Sequence, residues 1–306
     1  MSKKYLFVLG ASDPEMAEIQ NLLATAGQRF VYAMVGMGDS SRVHPGNAYK
    51  FAGTSGEFRD EDTVVLVECN PEPGRAVMLE AFREVIRVDH HRPGDYGYGR
   101  APAEFFEASS LGQIRALLIR ITGVGFHEAE ENERHVLITA ADHCLESAYR
   151  GKCPGVDPDA LMRWRVKTRA EFQKRSAEDV LADVEVARQR LREARVSPDR
   201  IVVDLLSEFD RRSFEFIAEG LGDEFHGGYA VVADLRGQDV PELPEAAARE
   251  GIPFVASVTD RDGREKVVLQ AAGPEVVRQF LAGNVVPGLK SLYGDPARGF
   301  AGGYVS

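Results

Sequence analysis

At 306 residues, 44% hydrophobic and 28% charged, the chain is long enough for two domains that each bury a core. Its net charge of −11, with 48 acidic against 37 basic residues, excludes the basic stripe through which proteins grip long duplex nucleic acid, so an anionic ligand has to be short or held through a metal. No apolar run approaches the roughly 18 residues of a spanning helix, and MSKKYLFVLG turns directly into a strand pattern without a cleavage-site signature, which gives the expectation of a cytoplasmic protein with no membrane partner.

The first half alternates two kinds of segment. YLFVLG (5–10) reads as a buried strand, MAEIQNLLATAG (16–27) as an amphipathic helix ending at Gly27, and FVYAMVG (30–36) as a strand. TVVLVECN (63–70) and EVIRVDHH (84–91) are further strand-like runs with AVMLEAFR (76–83) helical between them. FHEAEENERH (126–135), with His127 and His135, reads as an exposed helix or loop, and the apolar run HVLITAAD (135–142) as one more strand. Ser109 and Ser110 form a helix-start signal. Such alternation predicts βαβ units and a largely parallel sheet, whose ligands collect outside the carboxyl ends of the strands.

From about residue 158 the pattern becomes helical with heavy mixed charge, read as one or two long helices with a solvated face. A second domain then begins near Pro198, with strands IVVDLL (201–206), YAVVAD (229–234), PFVASVTD (253–260) and EKVVLQAA (265–272). The last two straddle Arg261-Asp262-Gly263-Arg264, a hairpin signal, and GPEVVRQFLAG (273–283) is a helix. The expected class is α/β: a parallel-sheet domain over 1–157, a helical linker over 158–197, and a smaller α/β domain with a mixed sheet over 198–306.

Four of the predicted strands end in carboxylates or imidazoles: Asp13 and Glu15 after the first, Glu68, then Asp89-His90-His91, then Asp142-His143. Divalent cations held by carboxylates and capped by imidazoles clamp phosphoryl groups and generate hydroxide near neutral pH. Asp13, Glu15, Glu68, His90 and Asp142 supply such a set. Oxygen and nitrogen donors together suit one or two manganese ions, with magnesium, iron or cobalt as alternatives. His91 would face the substrate phosphate and Asp89 would orient an imidazole. Cys69, Cys144 and Cys153 are odd in number and unevenly spaced, as buried thiols are; a zinc site from Cys144, Cys153 and a histidine is the weaker reading.

The segments GASDPEM, LVECNP, VDHHRPG and TAADHC, in this order, resemble the four motifs of the DHH phosphoesterase superfamily, which includes manganese-dependent pyrophosphatases, single-strand exonucleases, and nanoRNases or cyclic-dinucleotide phosphodiesterases. GDPARGFAGGY (294–304) is similar to the glycine-rich segment of the family's smaller C-terminal domain, which closes over the cleft. Arg92, Arg100 and Arg298 are candidate phosphate ligands by their loop positions, Gly299, Gly302 and Gly303 would let backbone amides approach a phosphate, and His143 is a further candidate at the substrate. Two departures stand out: Leu9 occupies the place of the first motif's histidine, and Glu15 and Glu68 replace aspartates. His44 or His143 would have to compensate for Leu9.

Each residue also has a plainer role. Asp13 and Glu15 can cap a helix, Glu68 can be a turn residue, Asp142 and His143 can cap LESAYRG, and Arg92, Arg100 and Arg298 can be exposed surface cations. The expected activity is metal-dependent hydrolysis of a small phosphorylated substrate, such as a short single-stranded oligonucleotide, a cyclic dinucleotide or another nucleotide, with a homodimer as a candidate assembly. The competing reading is a degenerate relative that binds a nucleotide or protein partner without hydrolysis. A dinucleotide-dependent oxidoreductase is excluded, because GASDPE carries an acid where a glycine-rich loop would meet pyrophosphate.

Overall fold

The computed structural model describes residues 4–36, 41–58, 63–80, 82–125, 129–195, 232–234, 242–251, 254–259, 264–270, 272–284, 286 and 288–305. The strand expected at 201–206, the domain start near Pro198, most of the hairpin turn at 261–264, and His127 lie outside these residues. The chain divides into two compact units: Met1–Arg100 with Glu104–His143, and Ala101–Ala103 with Cys144–Ser306. The fold is α/β in both. Among the described residues no helix is long and apolar enough to cross a membrane.

In the first unit, β1 (Tyr5–Leu9), β2 (Arg29–Met34), β3 (Gly53–Thr54), β4 (Thr63–Val67) and β5 (Glu84–Val88) form one sheet in the order β3-β2-β1-β4-β5. The pairs β1–β2, β1–β4 and β4–β5 are parallel, and the edge pair β2–β3 is antiparallel. Because the central strands are covered on both faces, YLFVL and TVVLV are nearly continuous apolar runs. Leu6, Val8, Val31, Ala33, Val64 and Leu66 build the core of one face with Phe51; the alternate residues Phe7, Leu9, Val65 and Val67 are buried on the other. β1 and β4 are neighbours, yet the chain passes from β1 to β2 on one side and from β4 to β5 on the other. A crevice at the carboxyl ends of such a pair is where ligands bind open α/β sheets.

Helices α1 (Pro14–Thr25), α2 (Phe105–Ala108), α3 (Ser110–Thr122) and α4 (Ala129–His143) pack against one another beside this sheet. Asp13 caps α1, its Oδ1 accepting from Met16 N at 2.7 Å, and Ser109 caps α3 through Gly112 N. Two expectations need correction. HVLITAAD is the second half of α4 rather than a strand: the polar residues before it continue the same helical face, and Asp142 stands at a helix end. The segment 76–83 is not a regular helix; a 3-10 helix covers Pro73–Leu79 instead.

His135 is also corrected: it is fully buried, not exposed. Its Nε2 lies 2.9 Å from Glu18 Oε1, its Nδ1 2.9 Å from Arg115 Nη1, and Arg134 Nη2 reaches Glu18 at 2.6 Å. Arg115 also donates to Asn132 Oδ1 at 2.6 Å. This network fastens α1, α3 and α4 together.

The second unit begins with α5 (Leu145–Tyr149), α6 (Pro158–Gln173) and α7 (Ala177–Arg195). The residues read as a linker therefore lie within it, and α7 packs on α8 (Leu243–Glu250). Arg165 on α6 pairs with the buried Glu245 of α8 at 2.6 Å. β6 (Val232–Asp234), β7 (Phe254–Thr259), β8 (Glu265–Gln270), β9 (Lys290–Asp295) and β10 (Phe300–Tyr304) form a mixed sheet in the order β6-β7-β8-β10-β9. The β7–β8 pair is antiparallel, as the hairpin signal required. Its core joins Val255, Val267, Leu269 and Ala301 to Val276, Val277 and Phe280 of α9 (Pro274–Leu281). Cys144 and Cys153 are buried thiols with Sγ atoms 2.8 Å apart, and Cys69 is buried in the first unit.

Glu18 supplies a pH test of the helix network. Its hydrogen bond from His135, opposed by burial and aided by Arg134, holds its carboxyl at about 2 against an ordinary 4.5. A depressed folded-state value contributes stability that is present above the unfolded value and lost as pH falls through the folded one. Glu18→Gln should therefore cost about 1–3 kcal/mol near pH 6, with the gap to wild type closing between about pH 4.5 and 2. Urea unfolding across that range checks this; a gap that stays constant down to pH 2 would contradict it.

Candidate metal centre

β1 ends at Leu9, and Gly10 N donates to Val67 O at 2.9 Å, drawing the exits of β1 and β4 together. The approach is tight: a Cβ on Gly10 would come within 2.4 Å of the Glu68 carbonyl oxygen. Only glycine fits. Glu68 itself adopts a left-handed backbone, φ 50°, which costs an ordinary residue about 1 kcal/mol or more. With Glu68 N donating to Val88 O at 3.0 Å, the turn carries its buried side chain in beside the end of β5.

There His90 is the hub. Its fully buried Nε2 lies 2.9 Å from Asp142 Oδ2, 3.5 Å from Glu68 Oε1 and 3.9 Å from Glu15 Oε2. One ligand atom from each of Glu15, Glu68, His90 and Asp142 falls within 4.8 Å of the others, close enough to share a cation. A second group, Glu68, His90 and His91, shares two members with the first. Neither contains a cysteine. Glu15 Oε1 accepts from Leu111 N at the start of α3 at 3.0 Å, a helix end that favours negative charge. Among the described residues, Glu15 Oε2 and Glu68 Oε1 are buried and accept no hydrogen bond. Buried carboxylate oxygens left in that state are costly unless a cation meets them.

The electrostatics agree. Burial, then the charges of Glu68 and Asp142, push the Asp13 carboxyl well above its ordinary range; burial, then Asp142 and Glu68, do the same to Glu15. Crowded carboxylates respond in this way when no cation neutralises them. The donor set of three carboxylates and one imidazole fits a hard or borderline divalent ion.

The imidazole is oriented from behind. His90 Nδ1 lies 2.8 Å from Nδ1 of the buried His143. With a cation on Nε2, the proton must reside on Nδ1 and be donated to His143, the usual way a ligand histidine is fixed. His143, expected at the substrate, thus lies against the ring of His90 rather than at an open surface.

Asp89 organises the loop. Its Oδ1 accepts from His90 N at 2.7 Å and His91 N at 3.1 Å and lies 3.0 Å from His91 Nδ1; Tyr49 donates to Oδ2 at 2.9 Å. Burial opposes its charge, but the bonds from His91 and Tyr49 outweigh burial and hold its carboxyl below the usual range. An ionised carboxylate only accepts, so His91 Nδ1 carries the shared proton and Nε2 is left for a ligand. Gln113 Nε2 ties the loop down through Asp89 O at 3.0 Å and Ala108 O at 2.8 Å. The His91 side chain is 39% exposed. Beside it the Arg92 guanidinium lies 3.4 Å over the Tyr49 ring.

Of the expected ligands, Glu15, Glu68, His90 and Asp142 come together. Asp13 lies in electrostatic range of them but spends Oδ1 on capping α1. Leu9 is fully buried in the sheet. His44 Nδ1 accepts from Gly46 N within its own turn at 3.1 Å. Arg298, Gly299, Gly302 and Gly303 belong to the second unit. There Gly299 closes the β9–β10 turn with φ 68°. A Cβ on Gly302 would strike the Tyr293 ring, and one on Gly303 would strike Leu292, so sheet packing by itself requires these two glycines. The charge of Arg298 acts on the buried Glu146. Sequence reasoning missed Tyr49, Gln113 and the Leu111 amide, which no local pattern distinguishes.

No family model, curated protein or solved structure matches the chain.

Two measurements follow from this geometry. Because Asp13 and Glu15 hold their protons above the ordinary range, uptake of a divalent ion should release protons and tighten as pH rises; calorimetry in buffers of different ionisation enthalpy would read this, and pH-independent uptake would contradict it. Gly10→Ala, which drives a methyl group into the Glu68 carbonyl, should cost about 1–3 kcal/mol and weaken ion uptake as well. Unchanged stability would show that the two strand exits are not held in contact.

Proposed function

We propose that the chain is a metal-dependent phosphoesterase, a divergent relative of the DHH superfamily, acting on a small phosphorylated substrate: a short oligonucleotide, a cyclic dinucleotide or another nucleotide. The observation that carries the reading is the buried group Glu15, Glu68, His90 and Asp142, with two carboxylate oxygens that accept no hydrogen bond among the described residues. Glu15, Glu68, His90 and Asp142 would hold one ion, with manganese the best match and magnesium the alternative. When bound, such an ion supplies Lewis acidity toward a phosphoryl oxygen and lowers the pKa of water.

The chain's own residues do the rest. Asp89, itself held by Tyr49, fixes the His91 ring through Nδ1; in the imidazolium form, with the Asp89 carboxylate as its counter-charge, Nε2 donates to a phosphoryl oxygen. Arg92, stacked on Tyr49, offers a guanidinium fork to the same anion. The net charge of −11 favours a short anion over long nucleic acid. The resemblance of GASDPEM, LVECNP, VDHHRPG and TAADHC to the DHH motifs supports the same reaction class, and a cytoplasmic location accords with it.

Manganese content and hydrolysis of a simple phosphodiester, measured together, test the proposal. Wild type should retain one equivalent, lost in His90→Ala and in Asp142→Ala. His91→Ala should keep the ion and lose about a hundredfold or more in turnover. An ion that binds without any hydrolysis would favour the non-catalytic binder, and no ion at all would sink the phosphoesterase reading.

A further inference from the structure

Arg42 lies outside both ligand groups and outside the loop held by Asp89. It lies in a short antiparallel bridge to Met34 at the end of β2, and its Nε donates to Gly10 O at 2.8 Å. Its guanidinium carbon is 4.3 Å from the centre of the Tyr32 ring, and the Tyr32 hydroxyl is itself anchored to Gln20 Oε1 at 3.0 Å. The head group is thus pinned on one edge and one face beside the exits of β1 and β4. Burial pulls its pKa down, opposed by Tyr32, Asp13 and Cys69, so the Asp13 carboxyl and the residue after Glu68 lie in electrostatic range. Its Nη2 is buried and has no hydrogen-bond partner among the described residues.

A guanidinium held in this way is an unusual use of an arginine. Nothing about a structural role requires a buried N–H edge to be left unmet, and such an edge is costly. The neighbouring cluster has the complementary imbalance. Asp13, Glu15, Glu68 and Asp142 would bring four negative charges to a buried site, and a single divalent ion offsets half of them. On the β1 side of the cluster, Leu9 is apolar and Asp13 Oδ1 is engaged as a cap, so no further complete set of ligands exists there among the described residues.

We propose that Arg42 is the built-in second cation of the site: beside one divalent ion, its Nη2 edge takes an anionic phosphoryl oxygen of the substrate. The ligand class is a phosphate mono- or diester with a non-bridging oxygen free to accept from a fixed guanidinium. Since the guanidinium is preorganised by Gly10 O and Tyr32, little side-chain entropy is lost when the anion arrives. This inference rests on the metal-dependent phosphoesterase reading and adds to it a fixed charge that no metal exchange can remove.

The test uses the whole 306-residue chain, manganese and inorganic phosphate as probes, and the variants Arg42→Met and Arg42→Lys. Manganese affinity is read by electron paramagnetic resonance, and phosphate affinity of the manganese-loaded protein by calorimetry. Arg42→Met should weaken phosphate binding about tenfold or more, the loss of one charge-assisted hydrogen bond. Manganese affinity should hold or tighten, since a neighbouring positive charge has gone. Arg42→Lys, which keeps the charge without the fork, should fall between. Phosphate affinity within about twofold of wild type in a manganese-loaded Arg42→Met would overturn the assignment while leaving the phosphoesterase reading intact. So would parallel loss of manganese and phosphate in both variants, the mark of a merely structural residue, or a manganese-loaded wild type that binds no phosphate. Wild-type protein that takes up no manganese would overturn the underlying reading, and this inference with it.

Discussion

Three carboxyl groups converge on one buried imidazole with a fourth, Asp13, in electrostatic range, and that convergence is the constraint around which the first unit is built. Anions brought this close in a dry site repel one another and lose hydration, so the folded chain must either keep some of them protonated or supply positive charge. The raised pKa values of Asp13 and Glu15 record the first outcome in the chain taken alone. The open oxygens of Glu15 and Glu68 mark where the second would act. Donors at the ends of helices, Met16 N for Asp13 and Leu111 N for Glu15, reduce the penalty without removing it.

Several features that look unrelated serve this convergence. The glycine at position 10 lets two strand exits touch, and the left-handed backbone of Glu68 turns its side chain inward. His143 braces the hub imidazole from behind, while Asp89, Tyr49 and Gln113 lock the loop that presents His91. Further out, the Glu18–His135–Arg115 network joins the three helices that deliver Glu15, the Leu111 amide and Asp142. Loss of any of these would reach the site through geometry rather than chemistry, and ligand placement within about half an ångström is what such centres demand.

Much of this was legible in the sequence because strand ends are legible. Nearly continuous apolar runs at 5–9 and 63–67 and the β-rich run at 84–88, each followed by acids or histidines, predicted a parallel sheet with its chemistry at one edge. The Asp-His-His tripeptide drew attention to the loop that brings His90 to the carboxylate cluster. Asp142 was found for a wrong structural reason: VLITAA is rich in β-favouring residues and reads as a strand, yet packing against α1 and α2 makes it helical, a tertiary override of local propensity. His135 was read as exposed because its neighbours in sequence are charged, and only the pairing with Glu18 and Arg115 across helices shows that it is buried. Tyr49 and Arg42 were invisible for a related reason. The 41–51 segment has no periodicity, and its relation to Asp89 and Gly10 exists only once the sheet is assembled.

Anomalous scattering at the manganese edge, from crystals of the protein grown with manganese, would test the central claim most directly. The account predicts a single peak enclosed by Glu15, Glu68, His90 and Asp142, with the His90 Nδ1 proton directed at His143. An empty cluster in a crystal otherwise saturated with manganese, or a peak ligated by other residues, would contradict it.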